Sequence, residues 1–381
     1  MITVVIPTIG RATLRDTLAA VGPGVPVIVV DDRPLTGGAS SEGTDIPGGA
    51  HTKAPPGVTE PLAEHVLVVR SGGLGPAAAR NAGWRAADTP WVVFLDDDVV
   101  PAPGWAEALW KDLVDLPDDV AGSQGRIEVP LPAGRRPTDA ERHTAGLSEA
   151  LWVTADMAYR RAALEAVGGF DERFPRAYRE DADLALRVRR AGYRLVRGER
   201  VTTHPVRADG FWASVRFQRG NADDALMRRL HGPSWRADIG GAGGRLRLHA
   251  LTTAAGLAAA LLGAASVARR RSVSGRGVTF RGAILPSVTG RGVASRGVIP
   301  RSVTGRGVAS RGVTGRDGRV LRALTWGAAA GWAALTAEFA WRRIAPGPRT
   351  PGEVLRMAVT SVLIPPVACA HRLRGEWRAR R

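Results

Sequence analysis

Short uncharged runs rich in Val, Ile and Phe recur through the first hundred residues of this 381-residue chain: ITVVI at 2–6, PVIVV at 26–30, VLVV at 66–69 and WVVFL at 91–95. Runs of this length predict buried strands. Leu14 and Leu18 share a face at helical spacing, which predicts a helix over 11–20, and a strand, helix, strand order predicts a parallel pair joined by a right-handed crossover. Pro76 suits a first helical position, so 77–87 reads as a second helix after the glycine-rich turn Gly72, Gly73, Gly75. Further along, 105–113 predicts a helix, 123–129 an edge strand, 150–159 a strand or bend, and 161–166 a short helix stopped by Gly168 and Gly169. Leu184, Val188 and Ala191 lie on one helical face, which puts Glu180 and Asp181 in that helix's first turn. Residues 201–206 read as a strand or loop and 211–230 as one arginine-bearing helix.

The polar residues fall where these strands end. The second strand stops at Asp31 and Asp32, the fourth at Asp96, Asp97 and Asp98. Ligands of parallel sheets sit beyond the carboxyl ends of the strands, so both acidic clusters belong to one edge. Three adjacent carboxylates repel one another. They are either a solvated acidic turn or a divalent-metal site, in which one or two carboxylates and a substrate diphosphate suit Mg2+ or Mn2+. The turn before the 77–87 helix can be an ordinary cap or an anion site, with Arg80 one turn in. Carboxylates in a helix's first turn are often there for stability. Ionised by the helix dipole, Glu180 and Asp181 would also serve to accept a proton. His204 stands alone, and a lone histidine is more often structural than a ligand.

Composition divides the chain. The formal charge is +17, but from Arg245 onward 24 Arg face four acids, a contribution of +20, which leaves the first 244 residues at −3. A hydrophobic content of 44% supports a sizeable core. The single cysteine, Cys369, excludes an intramolecular disulfide. Met1 leads directly into a strand without a basic leader, so a cytosolic protein is expected. Residues 33–64 read as a long surface loop. SVTGRGVASRGV occurs at Ser287 and again at Ser302, a period of fifteen within an Arg/Gly-rich segment too poor in apolar residues to fold alone. Apolar runs at 250–268, 323–341 and 357–370 flank it. The first two are about long enough to span a bilayer. An Arg-rich connector on the far side would oppose the positive-inside tendency, so these helices are expected to pack on the enzyme or lie on an anionic membrane surface.

The ordered motifs VVIPTIGR, VVDDR, GPAAARNAGW, FLDDD, GGFDERF and EDADL, over roughly residues 2–230, resemble the family 2 glycosyltransferases. The resemblance implies an α/β GT-A fold with a mostly parallel central sheet flanked by helices. It implies nucleotide-sugar contacts from Pro7, Thr8, Arg11, Asp31, Asp32, Gly75, Arg80, Asp96 and Asp97. It implies a DxD element whose Asp98 holds a divalent metal, Mn2+ or Mg2+, with Asp96 beside the ribose or metal, and His204 as a further ligand. Asp181 is the implied general base of an inverting transfer, with Glu180 the second candidate. The expected donor is a UDP- or dTDP-sugar and the expected acceptor a saccharide or glycolipid in cell-envelope synthesis, at the inner membrane face. A single sugar transfer is expected, because the Gln-x-x-Arg-Trp element of processive synthases is absent from the sequence. The expected organisation is a transferase domain at 1–232, an apolar helix at 245–268, an Arg/Gly linker at 269–319 and a helical region at 320–381. The competing reading is a non-catalytic GT-A-like protein whose basic tail binds anionic lipid or nucleic acid. Nucleic acid is disfavoured because the tail lacks interleaved aromatics for base stacking.

Overall fold

A computed structural model describes residues 1–34, 65–207, 210–241, 243–274 and 313–380. Most of the 33–64 loop and of the Arg/Gly repeat lie outside the described residues. The four apolar runs form β1 (Ile2–Thr8), β2 (Val27–Asp31), β3 (Val66–Arg70) and β4 (Trp91–Leu95), with α1 (Leu14–Val21) and α2 (Pro76–Ala86) between them. These strands lie parallel in the order β3-β2-β1-β4. The short β5 (Val100–Pro101) leads to α3 (Trp105–Val114), β6 (Val120–Glu128), α4 (Asp139–Ala145), β7 (Asp156–Arg160) and α5 (Arg161–Val167). Then come α6 (Glu180–Arg190) and β8 (Arg194–Thr203). The full order is β3-β2-β1-β4-β7-β6-β8-β5, mixed because β7 runs antiparallel to both β4 and β6.

Successive strand residues point to opposite faces, and here both faces are covered. Val4, Ile6, Val27, Val29, Val93 and Leu95 pack with Leu14 of α1 and Trp105, Leu109 and Leu113 of α3. Val5, Ile28, Val30, Val92 and Phe94 pack with Ala77 and Ala79 of α2 and with Leu184 and Val188 of α6. This is why the runs carry no alternation. Helix α2 lies so close to the sheet that a Cβ at Gly83 would stand 2.3 Å from Val5 Cγ1.

Three expectations change. The strand near 123–129 is interior, between β7 and β8, not an edge. Its glycines are there for space: a Cβ at Gly122 would lie 2.8 Å from Met157 and Leu195, and one at Gly125 2.5 Å from Asp156. The helix expected over 211–230 is broken into α7 (Ala213–Arg216), a 3-10 turn and α8 (Gly220–His231). A Cβ at Gly220 would meet the Tyr178 ring at 2.6 Å. The strand expected within 201–206 begins earlier, at Arg194.

After α9 (Trp235–Asp238) come three long helices, α10 (Leu246–Ser274), α11 (Val313–Ile344) and α12 (Pro351–Ala379). Contacts divide the chain into two units, residues 1–249 with 339–381, and residues 250–338. In the first, α12 packs along α8, and a Cβ at Gly375 would stand 2.5 Å from the Ala222 carbonyl oxygen. Arg343 ties α12 to the domain, donating to Thr360, Ser361, Asp139 and Ser214. The second unit is a helix pair in which Gly256 meets Trp332 and Arg269 pairs with Asp317. By length and composition, 246–270 and 351–379 are long and apolar enough to cross a membrane.

Candidate active site

The carboxyl ends of β1, β2 and β4 meet at one edge because their registers are set by the sheet. Thr8 pairs with Asp31, and the β1–β4 register carried on from Val5 and Phe94 brings Thr8 opposite Asp97. The Thr8 hydroxyl donates to Asp97 at 2.6 Å and Arg11 pairs with its other oxygen. Asp97 is thereby turned inward and buried. Pro7 lies beside Val30 in the β1–β2 ladder. Asp31 is forked by Arg33. Asp32 accepts from Ser71 Oγ at 2.7 Å and from the Gly75 amide at 3.0 Å. The acid at the end of β2 therefore fixes the turn that starts α2. Gly75 has φ 100° and a Cβ there would meet the Pro175 carbonyl at 3.1 Å, so only glycine suits this corner.

Asp96, Asp98 and His204 come together at the mouth of β4. One ligand atom from each lies within 4.8 Å of the others, though they come from two strands a hundred residues apart. Donors about 2.1 Å from a hard divalent cation are separated by roughly 3 to 4.3 Å, and the 4.0 Å between His204 Nε2 and Asp98 Oδ1 falls in that range. The Nδ1 of His204 is 3.1 Å from the Pro205 carbonyl oxygen, which can only accept, so Nδ1 donates there and Nε2 is the ring nitrogen turned to Asp98 Oδ1, at 4.0 Å. Asp98 is buried, and neither of its oxygens accepts a hydrogen bond among the described residues; the Arg207 guanidinium stands against Oδ2. A buried carboxylate lacking hydrogen bonds needs positive charge nearby. These three residues could hold a metal ion.

The second cluster is joined to the first by Arg80. From α2, its guanidinium donates to Glu180 at 2.7 Å and Asp96 at 2.9 Å. Arg80 and Glu180 are each 2% exposed. Burial works against the charge on Arg80, but Asp96, Glu180 and Asp181 together hold its pKa above the usual arginine value. Burial pushes Glu180 up, against the pull of Arg80. The contact is a single hydrogen bond from Arg80 Nη1 to Glu180 Oε1. Asp181 is partly open to solvent and is also raised by burial, with the Ala182 amide, Arg80 and Arg179 opposing the rise. A carboxylate raised in this way, and still reachable, is suited to take up a proton. Arg179, just before the pair, has φ 79°, an unusual backbone for a residue with a side chain. It is held by Asp224 at 2.9 Å and by stacking on Tyr178 and Trp235.

Residues 49–168 match the family model described as Glycosyl transferase family 2. Over that span the chain is similar to the family 2 glycosyltransferases. It has a mixed α/β sheet with flanking helices, followed by a helical C-terminal region. Two curated relatives, both named pre-mycofactocin glycosyltransferase, from Mycobacterium tuberculosis strains CDC 1551 and H37Rv, are 33% identical over 208 residues. That alignment covers 51% of this chain, and the chain spans about two fifths of the relatives' length, 40%. Among solved structures, M. tuberculosis glucosyl-3-phosphoglycerate synthase in complex with Mn2+, UDP and phosphoglyceric acid aligns at 18% identity with a TM-score of 0.39, over 61% of this chain and 79% of that one. S. aureus TarS aligns at 14% identity and a TM-score of 0.36, over 62% and 42%. Likeness at that level bears on neither site nor substrate.

In this α/β domain, then, the sequence-predicted residues occupy one sheet edge, but they do not all face the same way. Asp96, Asp98 and His204 converge, and Arg80 links them to Glu180. Asp97 and Asp31 are taken up by Thr8, Arg11 and Arg33. The domain also contains polar groups that sequence reasoning missed. Arg200, fully buried on β8, donates to Asp156, Asp112 and Ser123. Asp156 also accepts from Trp105 Nε1 and Thr202. It lies opposite Leu95 in the sheet, directly beneath the acidic cluster. Asp183 on α6 meets His231 of α8 at 2.7 Å, and Asp224 holds both Arg179 and Arg236. Each joins segments far apart in sequence, and no local motif announces any of them.

Proposed function

We propose that this protein is a metal-dependent glycosyltransferase that moves a sugar from a nucleoside diphosphate to an acceptor hydroxyl with inversion. The observation that carries the reading is the bridge made by Arg80, which joins Asp96 of the Asp96, Asp98, His204 cluster to Glu180, the neighbour of Asp181. Asp96, Asp98 and His204 would hold Mn2+ or Mg2+, which when bound screens the negative charge that grows on the leaving diphosphate. Asp181 takes the proton of the attacking hydroxyl, with its pKa raised by burial. Glu180 stays on Arg80 and keeps the start of α6 in place. Asp32, held by Ser71 and Gly75, is positioned to meet the nucleoside of a UDP- or dTDP-sugar. The Gly75–α2 corner offers backbone amides to anionic groups. Pro7, Thr8 and Arg11 complete that wall. Similarity to the pre-mycofactocin glycosyltransferases supports sugar transfer as the reaction class.

A saccharide or glycolipid acceptor of the cell envelope and a cytoplasmic setting at the inner membrane face belong to the same proposal. Their support is the pair of long apolar helices and the Leu355, Val362, Leu363 and Leu373 side chains that α12 leaves exposed. A donor-hydrolysis screen across UDP- and dTDP-sugars, with and without Mn2+, tests the function. Hydrolysis that needs the metal in the wild type and is lost in Asp98→Ala is the expected result. Turnover that survives both metal removal and Asp98→Ala refutes it.

A further inference from the structure

Beside the start of α6 lies a cavity of about 560 Å3 with an unusual lining: Arg176, Arg216, Arg219, Arg236, Arg245 and Arg372 face one carboxylate, Asp224. These arginines come from four places in the chain, the segment before α6, the α7–α8 turn, the α9–α10 segment and α12. Some are neutralised locally. Arg176 pairs with Asp223, Arg236 with Asp224, and Arg372 with Glu376 one turn on. Arg216 and Arg219 are exposed, and no carboxylate pairs with either among the described residues. Burial together with the charges of Arg176, Arg219 and Arg374 holds nearby His371 below its usual value, which marks a positive potential at this end of α12.

Like charges at this density repel, and a fold that gathers them leaves a demand for an anion. Guanidinium groups match phosphate oxygens as planar forks. The cavity also adjoins the chemistry. Tyr178 lines it and begins the Tyr178–Asp181 segment, and Asp224 lines it while holding Arg179. On its other side His143 stacks on Phe217 at 4.5 Å, a single aromatic step where a nucleic acid strand would use several. We propose that this cavity binds a phosphate or phosphodiester group carried by the acceptor, and so holds the acceptor's hydroxyl against Asp181. The assignment to the acceptor rests on the transferase reading above; the anion site itself does not. It gives α12 a function, because Arg372 reaches the cavity only while that helix is packed on α8.

The test uses the full chain and the double variant Arg216→Glu/Arg219→Glu, whose side chains are exposed and lie outside the donor and metal residues. Inorganic phosphate is titrated by calorimetry, and vesicles of phosphatidylglycerol or of phosphatidylcholine are assayed by co-sedimentation. The wild type is expected to bind phosphate or the phosphatidylglycerol vesicles, and the double variant to bind the same probe roughly a hundredfold more weakly. Phosphate binding without vesicle binding identifies a soluble phosphorylated acceptor. Binding to phosphatidylglycerol vesicles, displaced by phosphate, identifies a lipid headgroup. No binding of either probe by the wild type, or equal binding by the variant, overturns the proposal. The Mn2+-dependent thermal shift with UDP is measured in parallel on both proteins. Its absence from the wild type would sink the transferase reading and leave the phosphate result standing on its own.

Discussion

Replacing Asp98 by Asn removes one charge from the Asp96, Asp98, His204 cluster while keeping its shape. Among the described residues the carboxylate is buried without a hydrogen bond, and the Arg207 guanidinium beside it is half-exposed and can be rehydrated cheaply. The metal-free variant should therefore be no less stable than the wild type. With Mn2+ at a hundred times its dissociation constant, linkage stabilises the wild type by about 2.7 kcal/mol. For a domain of this size that corresponds to roughly 5 to 10 °C in Tm. Losing one charge-assisted contact costs about 1.5 to 3 kcal/mol, or roughly ten- to a hundredfold in affinity. At the same Mn2+ concentration the stabilisation then drops to about 0.4 to 1.4 kcal/mol. Differential scanning fluorimetry across a Mn2+ series measures the difference. An Asp98→Asn variant that keeps the whole Mn2+-dependent shift would refute the metal assignment.

Three further outcomes follow from the structure. Asp181→Asn should lower transfer about 10²- to 10⁴-fold. Because the folded protein raises the Asp181 pKa, the acid limb of the wild-type kcat/KM profile should fall at a higher pH than an ordinary carboxylate gives. The contribution of Asp181 to stability is full below its unfolded value and lost as pH rises through the folded one, so Asp181→Asn should raise Tm at pH 7, with a gain that shrinks toward pH 4. Arg200→Met leaves Asp156 and Asp112 without their buried cation and should cost about 3 to 5 kcal/mol in urea unfolding. Gly83→Ala drives a methyl into Val5 and should cost about 1 to 3 kcal/mol, whereas Gly134→Ala, at a glycine with nothing near its missing Cβ, should leave the urea midpoint almost unchanged.

Most of the first four strands and their helices were legible because buried parallel strands need no alternation and read as unbroken apolar runs. β6 was harder to place: its sequence, VAGSQGRIE, looks like an exposed edge. Only the packing of Met157, Leu195 and Asp156 explains why glycine and polar residues line an interior strand. The break between α7 and α8 was hidden for a similar reason. Gly220 is a helical residue by pattern, and it is glycine because the Tyr178 ring lies against it.

By itself the sequence determined which residues could do chemistry and which edge of the sheet they share, since strand ends and first helical turns are local properties. It also determined that the charge lies in the C-terminal third. The tertiary structure decided which of those acids point outward. Thr8 and Arg11 draw Asp97 in, Arg33 takes Asp31, and Asp98 is left to face His204 from another strand. It also decided that Arg80 bridges Asp96 and Glu180, and that arginines from four separate segments line one cavity. Hydrogen-bond partners and like-charge clusters are set by distances between segments remote in the chain, and those distances come only from how the sheet and helices pack.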